Sequence, residues 1–486
     1  MSSSKVCVHC GLLPFQTSAH STLPRAQLRF RLAQLTDLIA KLTTEQRQLR
    51  AISDSIVYPV LSIPPEITAL IFFHCISPSN PFPQPSPLKA PLLLAQICRE
   101  WRDIALSTPR LWQSLGLVDT RSVDVFETWL ARSGNLPLNF SLNCVDPERA
   151  SFLVDVCIPH AQRWQNVELA LPVGLLTRLE GPLPIPLLRR ISLSLRGPFK
   201  REVANGSPDD PISLRNAPSL READVSTYPD LRFNLPWVQL TTLTLSKVDV
   251  DECFVILGLC PDLIALDITT IGPPPPPNHS NGPLTLPFLG SFTFATDFCA
   301  AADRLRLPKL THVHIRETVG ADVTHATSLQ KLITLSACPI QRLALTLKYP
   351  ASDTFSRMID AMPASLHAME VHCGNATHVA PLLTALQKPD LVSALTSLSI
   401  SGGRVFDDDY DAFPALLEAR AGGALREFSL LVQTYGRADA VRDVPLRMRA
   451  LPRMQALAAS GMKIRLAIAG RFRVGTETEV LLDTLN

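Results

Sequence analysis

The chain contains 486 residues, of which 46% are apolar, so it can bury a large core and is not broadly disordered. Lysine and arginine (46) nearly balance aspartate and glutamate (44), and a net charge of +2 gives no reason to expect a nucleic acid partner. Eleven cysteines without regular spacing, and no apolar run near the roughly 20 residues that span a bilayer, predict a soluble, disulfide-free protein of the cytoplasm or nucleus, without membrane contact.

The N-terminal region divides into a tail and a helix. Residues 1–24 have no periodicity and are predicted to be disordered. Over residues 25–57, apolar side chains recur at alternating steps of four and three, a heptad pattern interrupted once, at Gln46. The heptad seam consists of Leu28, Leu32, Leu35, Ile39, Leu42 and Leu49. The pattern predicts one helix, which either forms a coiled coil or docks on the next domain.

Residues 58–118 have the apolar spacing of short helices interrupted by one loop. Pro64 and Pro65 lie where a helix can begin, and Glu66 suits the positive end of the helix dipole. Six prolines between residues 77 and 91 exclude a helix or a central strand, so this stretch is predicted to be an exposed loop. A second helix follows the loop and ends before the next proline.

Four segments of this unit resemble, in order, the F-box motif, in the form common among mushroom-type fungal proteins that also carry a heptad helix upstream. The segments are Ile63–Ile67, Ile71-Phe72, Ile97–Ala105 and Thr108–Trp112. The resemblance implies docking onto a Skp-type adaptor and, through it, a cullin-RING ubiquitin ligase. The contact residues that it implies are Ile63, Pro64, Pro65, Glu66, Ile67, Ile71, Phe72, Trp101, Leu111 and Trp112.

Beyond a predicted helical connector (119–160), residues 161–470 repeat a triplet of apolar positions spaced L-x-x-L-x-L. The triplets begin at Leu188, Leu220, Leu240, Leu263, Leu289, Leu310, Ile340, Leu366, Leu395 and Leu425. A proline two residues before five of them sets an extended approach to a short strand. The starts are roughly 20–32 residues apart, close to the ~20–29 of leucine-rich repeats.

This pattern resembles an irregular leucine-rich-repeat solenoid, since the asparagine of regular repeats is missing. We therefore predict an α/β fold with an N-terminal heptad helix, a small helical F-box-like unit, the solenoid, and a C-terminal tail over residues 471–486.

The predicted strands also indicate a binding surface. The second and third apolar residues of each triplet point into the core, so the residue between them points outward, as does the residue one step before the pair. Their mixed charges suit a protein substrate better than nucleic acid. His312 and His314 lie on one side of a strand, a pattern explained by exposed polar positions rather than by a metal site. The predicted substrate-binding residues, on the inner face of the curved repeat array, are Thr244, Asp267, His312, His314, Arg342, Glu370, Ser399 and Glu427.

None of the common phosphate-binding, zinc-protease or hydrolase motifs occurs, so we predict no enzyme activity, no catalytic residue, no cofactor and no metal site. On the F-box resemblance, we predict a substrate-recruiting adaptor subunit of a Skp–cullin–F-box ubiquitin ligase, whose repeats bind an unknown protein substrate. The alternative is a leucine-rich-repeat interaction scaffold that does not engage a ubiquitin ligase.

Overall fold

The structure is a computed structural model. The residues it describes are 24–55, 59–76, 80–118, 123–179, 183–196, 212–226, 233–270, 283–316, 324–347, 362–373, 380–388, 392–402, 412–435, 452–471 and 478–485. All but the last residue of the predicted N-terminal tail lie outside these ranges. Among the described residues, no helix is both long enough and apolar enough to cross a membrane.

Among the described residues, most helical residues lie in the first third of the chain. In chain order they are α1 (Arg25–Ser55), α2 (Pro65–His74), α3 (Leu94–Ile97), α4 (Arg99–Ser107), α5 (Val123–Arg132), α6 (Pro147–Cys157), α7 (Val173–Leu176), α8 (Val250–Gly258), α9 (Cys299–Ala302), α10 (Thr324–Ser336), α11 (Ala380–Leu386), α12 (Ala412–Arg420) and α13 (Pro452–Ala459). Short 3₁₀ turns at Pro59–Ser62 and Pro109–Trp112 flank helices α2 to α4.

The strands begin directly after this helical unit. They are β1 (Ser114–Val118), β2 (Leu138–Asn143), β3 (Trp164–Leu171), β4 (Arg190–Leu195), β5 (Ile212–Ser213), β6 (Glu222–Ser226), β7 (Phe233–Asn234), β8 (Thr242–Val248), β9 (Ala265–Thr270), β10 (Leu284–Thr285), β11 (Ser291–Ala295), β12 (Leu305–Arg306), β13 (His312–Arg316), β14 (Arg342–Leu347), β15 (Ala368–Cys373), β16 (Ser397–Gly402), β17 (Glu427–Tyr435), β18 (Lys463–Arg471) and β19 (Thr478–Leu485).

Fifteen of these strands form one sheet, in the order β1-β2-β3-β4-β6-β8-β9-β11-β13-β14-β15-β16-β17-β18-β19. Every neighbouring pair is parallel except β18 and β19. The remaining short strands form two parallel pairs, β5 with β7 and β10 with β12. Parallel strands that follow one another in space in the same order as in the sequence are consistent with a leucine-rich-repeat-like solenoid.

The core lies on one face of the sheet. The second and third apolar residues of every predicted triplet lie in a strand and are buried, as Leu243 and Leu245 illustrate with no exposed surface. Helix residues such as Cys253, Leu332 and Leu416 belong to the same buried cluster. The alternation within each strand therefore leaves the opposite face polar, as the triplets predict.

The solenoid begins earlier than predicted, which corrects the helical connector assigned to residues 119–160. Strand β1 pairs with β2, and β2 with β3, in the same sheet as the later repeats. The sequence pattern did not reveal these three repeats because none has leucine or isoleucine at the first triplet position. That position is taken by Trp112 before β1, Pro137 before β2 and Trp164 in β3. The two indoles fill the place that leucine takes in later repeats, and both are 1% exposed.

The solenoid also extends further than predicted at its C-terminal end. Strand β18 pairs with β17 in parallel, and β19 returns antiparallel to it within the predicted tail. The last repeat was not recognised because Gly461, with φ of +98°, takes the first triplet position. A left-handed backbone at that position favours glycine over leucine. An antiparallel final strand covers the β18 edge, which would otherwise present unpaired backbone groups.

The proline-rich loop is only partly exposed, contrary to the prediction. Phe82 is 8% exposed, and the loop lies against strand β1 at the edge of the sheet. The Gly116 amide of β1 donates to the Pro83 carbonyl at 3.0 Å. A Cβ on Gly116 would lie 2.5 Å from the Phe82 carbonyl oxygen, so the close approach requires glycine. The loop thus covers the β1 edge of the sheet. The spacing of the prolines did not predict this contact.

The heptad helix is described from Arg25 to Ser55, and the last two residues of the predicted segment, 56–57, lie outside the described residues. Its seam side chains Leu32, Ile39, Leu42 and Leu49 are 53–63% exposed. The helix therefore does not bury its seam on the described part of the chain, and the alternative of a docked single helix is wrong.

Candidate functional site

Helix α2 presents apolar side chains to solvent. Ile67, Leu70 and Ile71 are 49%, 48% and 46% exposed, and their spacing places them on one helix face. We call these three residues the α2 stripe. Thr68 and Phe72 on the opposite face are buried. Helix α2 packs on the rest of the unit through its opposite face, so the exposed stripe takes no part in that packing.

A second exposed pair lies at the start of the next helix. Leu93 and Ile97 are 40% and 54% exposed and lie four positions apart, so they share one helix face. More than half of the large exposed apolar side chains in the described residues precede residue 107. The apolar surface that could bind another protein is thus concentrated before the solenoid.

The residues that the F-box resemblance implies for the adaptor contact fall into two groups. Pro64, Pro65, Glu66, Ile67 and Ile71 are exposed at the beginning and on the outer face of α2. The second group comprises the half-buried Ile63 and Trp101 and the buried Phe72, Leu111 and Trp112.

Phe72, Leu111 and Trp112 are each 1% exposed, which corrects the prediction that they contact a partner directly. Trp112 donates from Nε1 to the Ala105 carbonyl at 2.8 Å, and its ring packs edge-on against Trp129 with centroids 4.7 Å apart. These side chains join the helical unit to the first repeat. Their packing supports helix α2 from the core side.

The position of α2 is fixed at both ends. Pro65 occupies the first turn, where its missing N–H costs no hydrogen bond, and the Pro64 carbonyl accepts from the Ile67 amide at 3.0 Å. Phe72 packs edge-on against Trp101 with ring centroids 4.9 Å apart. The Arg110 guanidinium lies 3.9 Å from the centre of the adjacent Phe73 ring. The α2 stripe is therefore a preformed surface.

The second surface is the face of the sheet opposite the core, which we call the polar sheet face. The outward residues of successive strands lie side by side in register. From β3 to β18 the row reads Glu168, Ser192, Asp224, Thr244, Asp267, Thr293, His314, Ala344, Glu370, Ser399, Ser429 and Arg465.

The structure places all eight predicted substrate-binding residues on the polar sheet face. Thr244, Asp267, His314 and Ser399 lie between inward pairs and are partly buried by their neighbours. The exposed residues are His312, Arg342, Glu370 and Glu427. His312, Arg342 and Glu427 each lie one residue before the inward pair of their strand. In this row His312 is the register partner of Arg342 on the neighbouring strand.

Cross-strand pairs neutralise much of the charge on this face. Asp267 accepts a hydrogen bond from Arg316, which also donates to the Thr269 hydroxyl at 3.1 Å. Lys463 and Glu427 form an ion pair at 3.0 Å. Burial raises the pKa of the Asp267 carboxyl, although the Arg316 charge opposes that shift.

Two further polar pairs bridge the strands. The Ser192 hydroxyl donates to Asp224 at 3.1 Å, and burial raises the pKa of that carboxyl. His314 shares a 2.8 Å hydrogen bond with the Thr346 hydroxyl. Burial, and then the nearby Arg316 charge, lowers the pKa of His314, so its ring is neutral at neutral pH. These pairs hold side chains in fixed positions, as a preformed binding surface requires.

A further outward row escaped the sequence analysis. It lies two residues after the central row and contains Ser246, Thr269, Arg316, Thr346, His372 and Ser401. His372 contacts the Ser401 hydroxyl at 2.6 Å, and its ring centre lies 6.4 Å from that of His314. The signal for this row was available, because strand alternation continues one step beyond the third apolar position of each triplet.

No group of three or more histidine, cysteine, aspartate or glutamate side chains among the described residues is arranged to hold a metal ion.

Comparisons with known proteins add little. No protein-family model matches the chain. No curated protein matches it either. Among solved structures, the chain is similar to the leucine-rich repeat-containing protein LegL7 from Legionella pneumophila, with 13% identity and a TM-score of 0.33 over 65% of this chain and 92% of that one. The repeat architecture is established by the register of the strands in the 15-stranded sheet.

Proposed function

We propose that the protein is a substrate-recruiting adaptor subunit of a Skp–cullin–F-box ubiquitin ligase. In this proposal the α2 stripe binds the Skp-type adaptor and the polar sheet face binds the protein substrate. The chain has a binding role and catalyses no reaction itself. The F-box resemblance of residues 63–112 supplies the identity of the adaptor.

The exposed α2 stripe is the single observation that carries the proposal. Full burial of an isoleucine or leucine side chain stabilises by about 1.5–3 kcal/mol, so covering three half-exposed side chains contributes roughly 2–4 kcal/mol before costs. That is a substantial part of the free energy of a micromolar complex, about 8 kcal/mol. Pro64 and Pro65 beside the stripe reduce the backbone entropy lost on binding.

The polar sheet face supports a protein substrate rather than a nucleic acid. Phosphate recognition requires a surplus of lysine and arginine. Here the face carries both acidic and basic side chains, and several are already paired with each other, as Asp267 with Arg316 and Glu427 with Lys463. Exposed Arg342 and Glu370 on neighbouring strands offer both signs of charge to a protein surface.

The test measures binding of the purified full chain to a purified Skp-type adaptor. The double variant Ile67→Lys with Ile71→Lys places two charges in the α2 stripe, and we expect it to weaken binding by at least about a hundredfold. Val255→Lys is the matched control, because Val255 is a similarly exposed apolar residue (64%) on helix α8 of the solenoid. It should bind like the wild type.

Circular dichroism and tryptophan fluorescence establish that each variant is folded. Unchanged adaptor binding by the folded double variant contradicts the assignment of the α2 stripe. A wild-type chain that binds no Skp-type adaptor but still captures proteins through its repeats supports the alternative, an interaction scaffold outside any ubiquitin ligase.

A further inference from the structure

The heptad positions of α1 can be assigned from its sequence. With Leu28 at position d, the d positions are Leu28, Leu35, Leu42 and Leu49. The a positions are Leu32, Ile39, Gln46 and Ser53. Leucine at every d position, with the β-branched Ile39 and the polar Gln46 and Ser53 among the a positions, is a pattern of two-stranded coiled coils.

The seam is open along the helix. Ile39 and Leu42 are 63% and 53% exposed, although α1 has 31 residues and is about 46 Å long. A groove on its surface is lined by Leu42, Glu45, Gln46, Leu49, Arg50 and Ser53. These are consecutive d, g, a, d, e and a positions, and such positions form the holes that receive side chains of a second helix.

Polar side chains outside the a and d positions of α1 pair with each other within the helix. Lys41 pairs with Asp37 at 2.8 Å, and Arg31 donates to Gln34 at 3.1 Å. Most of the stability of protein helices comes from packing of an apolar face. A long helix with an exposed apolar seam is therefore expected to pack that seam against a second helix.

The charges beside the seam select the partner and its direction. In a parallel pair of α1 helices, position g contacts position e of the next heptad, so Glu45 faces Arg50 of the second copy, twice per dimer. Gln46 then meets Gln46, and the two amides can bond to each other. In an antiparallel pair aligned along the same seam, Arg29 faces Arg50 and Gln46 faces the apolar Leu35, which leaves repulsion and an unpaired amide.

We infer that the protein forms a parallel homodimer through an α1 coiled coil. The occupant of the seam is a second copy of this chain, because α1 complements its own charges and its own polar layer in parallel register. The inference does not depend on the proposed ligase function. It places two copies of the α2 stripe and two polar sheet faces in one assembly, which allows bivalent binding.

The first experiment measures the mass of the full chain by sedimentation at tens of micromolar. We expect a dimer, and Leu42→Lys should raise its dissociation constant by at least about a hundredfold. Phe30→Lys is the matched control, because Phe30 is equally apolar and exposed (66%) but lies at position f, away from the seam. A monomeric wild type, or a dimer unaffected by Leu42→Lys, overturns the inference.

The second experiment tests the direction of the helices. Glu45→Arg alone and Arg50→Glu alone each turn two attractions into two repulsions, so each should weaken the parallel dimer about tenfold. Mixing the two variants should restore a heterodimer, because the charge introduced by Glu45→Arg in one chain then faces the charge introduced by Arg50→Glu in the other. The unchanged Glu45 and Arg50 of the two chains pair on the other side of the seam. In an antiparallel dimer Arg50→Glu strengthens association by removing the Arg29 repulsion, and that result overturns the parallel arrangement.

Discussion

Gly116 shows how one residue links the helical unit to the solenoid. Its amide bonds to Pro83, and the space that a side chain would need is occupied by the Phe82 backbone. The backbone of the loop cannot rotate away as a flexible side chain would. A larger residue at this position must therefore displace either strand β1 or the loop that covers it.

We predict that Gly116→Ala lowers the free energy of unfolding by about 1–3 kcal/mol, the usual cost of overpacking. The measurement is the midpoint of urea-induced unfolding, followed by tryptophan fluorescence. Gly258→Ala in α8 is the control, because a Cβ there meets nothing within 4 Å, and it should be neutral or slightly stabilising. Equal midpoints for Gly116→Ala and wild type would show that the loop does not lie on β1.

The repeat strands were predictable because each one carries its own signal. Leu266 and Ile268 alternate with polar residues, and Pro261 marks the approach to the strand. The first repeats were missed because Trp112 and Trp164 take the place of leucine, and the packing of an indole in that place depends on the space left by neighbours. The loop over β1 was not predictable either, since proline spacing excludes regular structure without saying what the loop contacts.

The candidate sites were predictable to different degrees. The alternation of β13 and β14 correctly placed His312 and Arg342 on the polar sheet face, opposite the core. It could not reveal the bond between Asp267 and Arg316, which are 49 residues apart and meet only across β11. In the helical unit, the motif identified Phe72 and Trp112 but not their burial, because a short motif does not distinguish contact residues from the core that supports them.

At the scale of one repeat, Leu266 is the second position of its triplet and is 3% exposed. We predict that Leu266→Ala lowers the free energy of unfolding by about 2–5 kcal/mol, because it leaves a cavity between stacked repeats. Ile264→Ala removes a similar side chain that is 54% exposed just before the same strand, and it should cost less than about 1 kcal/mol. If thermal unfolding shows equal losses for both variants, the register of β9 is wrong.

At the scale of the whole molecule, we predict that the polar sheet face is the surface that binds a protein partner of the repeats. Arg342→Glu combined with Glu370→Lys reverses both charges and keeps the net charge of the chain. Because like charges facing each other across an interface are strongly unfavourable, we predict at least about a tenfold loss in recovery of bound proteins. Quantitative mass spectrometry of co-purified proteins measures that loss.

The matched control for this double variant exchanges an ion pair on the helix side. Glu418 and Arg453 join α12 to α13, and Glu418→Arg with Arg453→Glu keeps their attraction. This control should recover bound proteins as the wild type does, and both variants should bind the Skp-type adaptor normally. Undiminished recovery by the Arg342 and Glu370 variant would place substrate binding elsewhere on the molecule.

The central claim is that the α2 stripe binds the Skp-type adaptor while the polar sheet face binds the substrate. Amide hydrogen exchange of the full chain tests this claim most directly. The exchange rates are compared with and without saturating amounts of a Skp-type adaptor. We predict slower exchange in residues 65–74 and 93–97, which contain the exposed apolar side chains, and unchanged exchange along β13 to β16. Protection of β13 to β16 by the adaptor, with residues 65–74 unchanged, would contradict the claim.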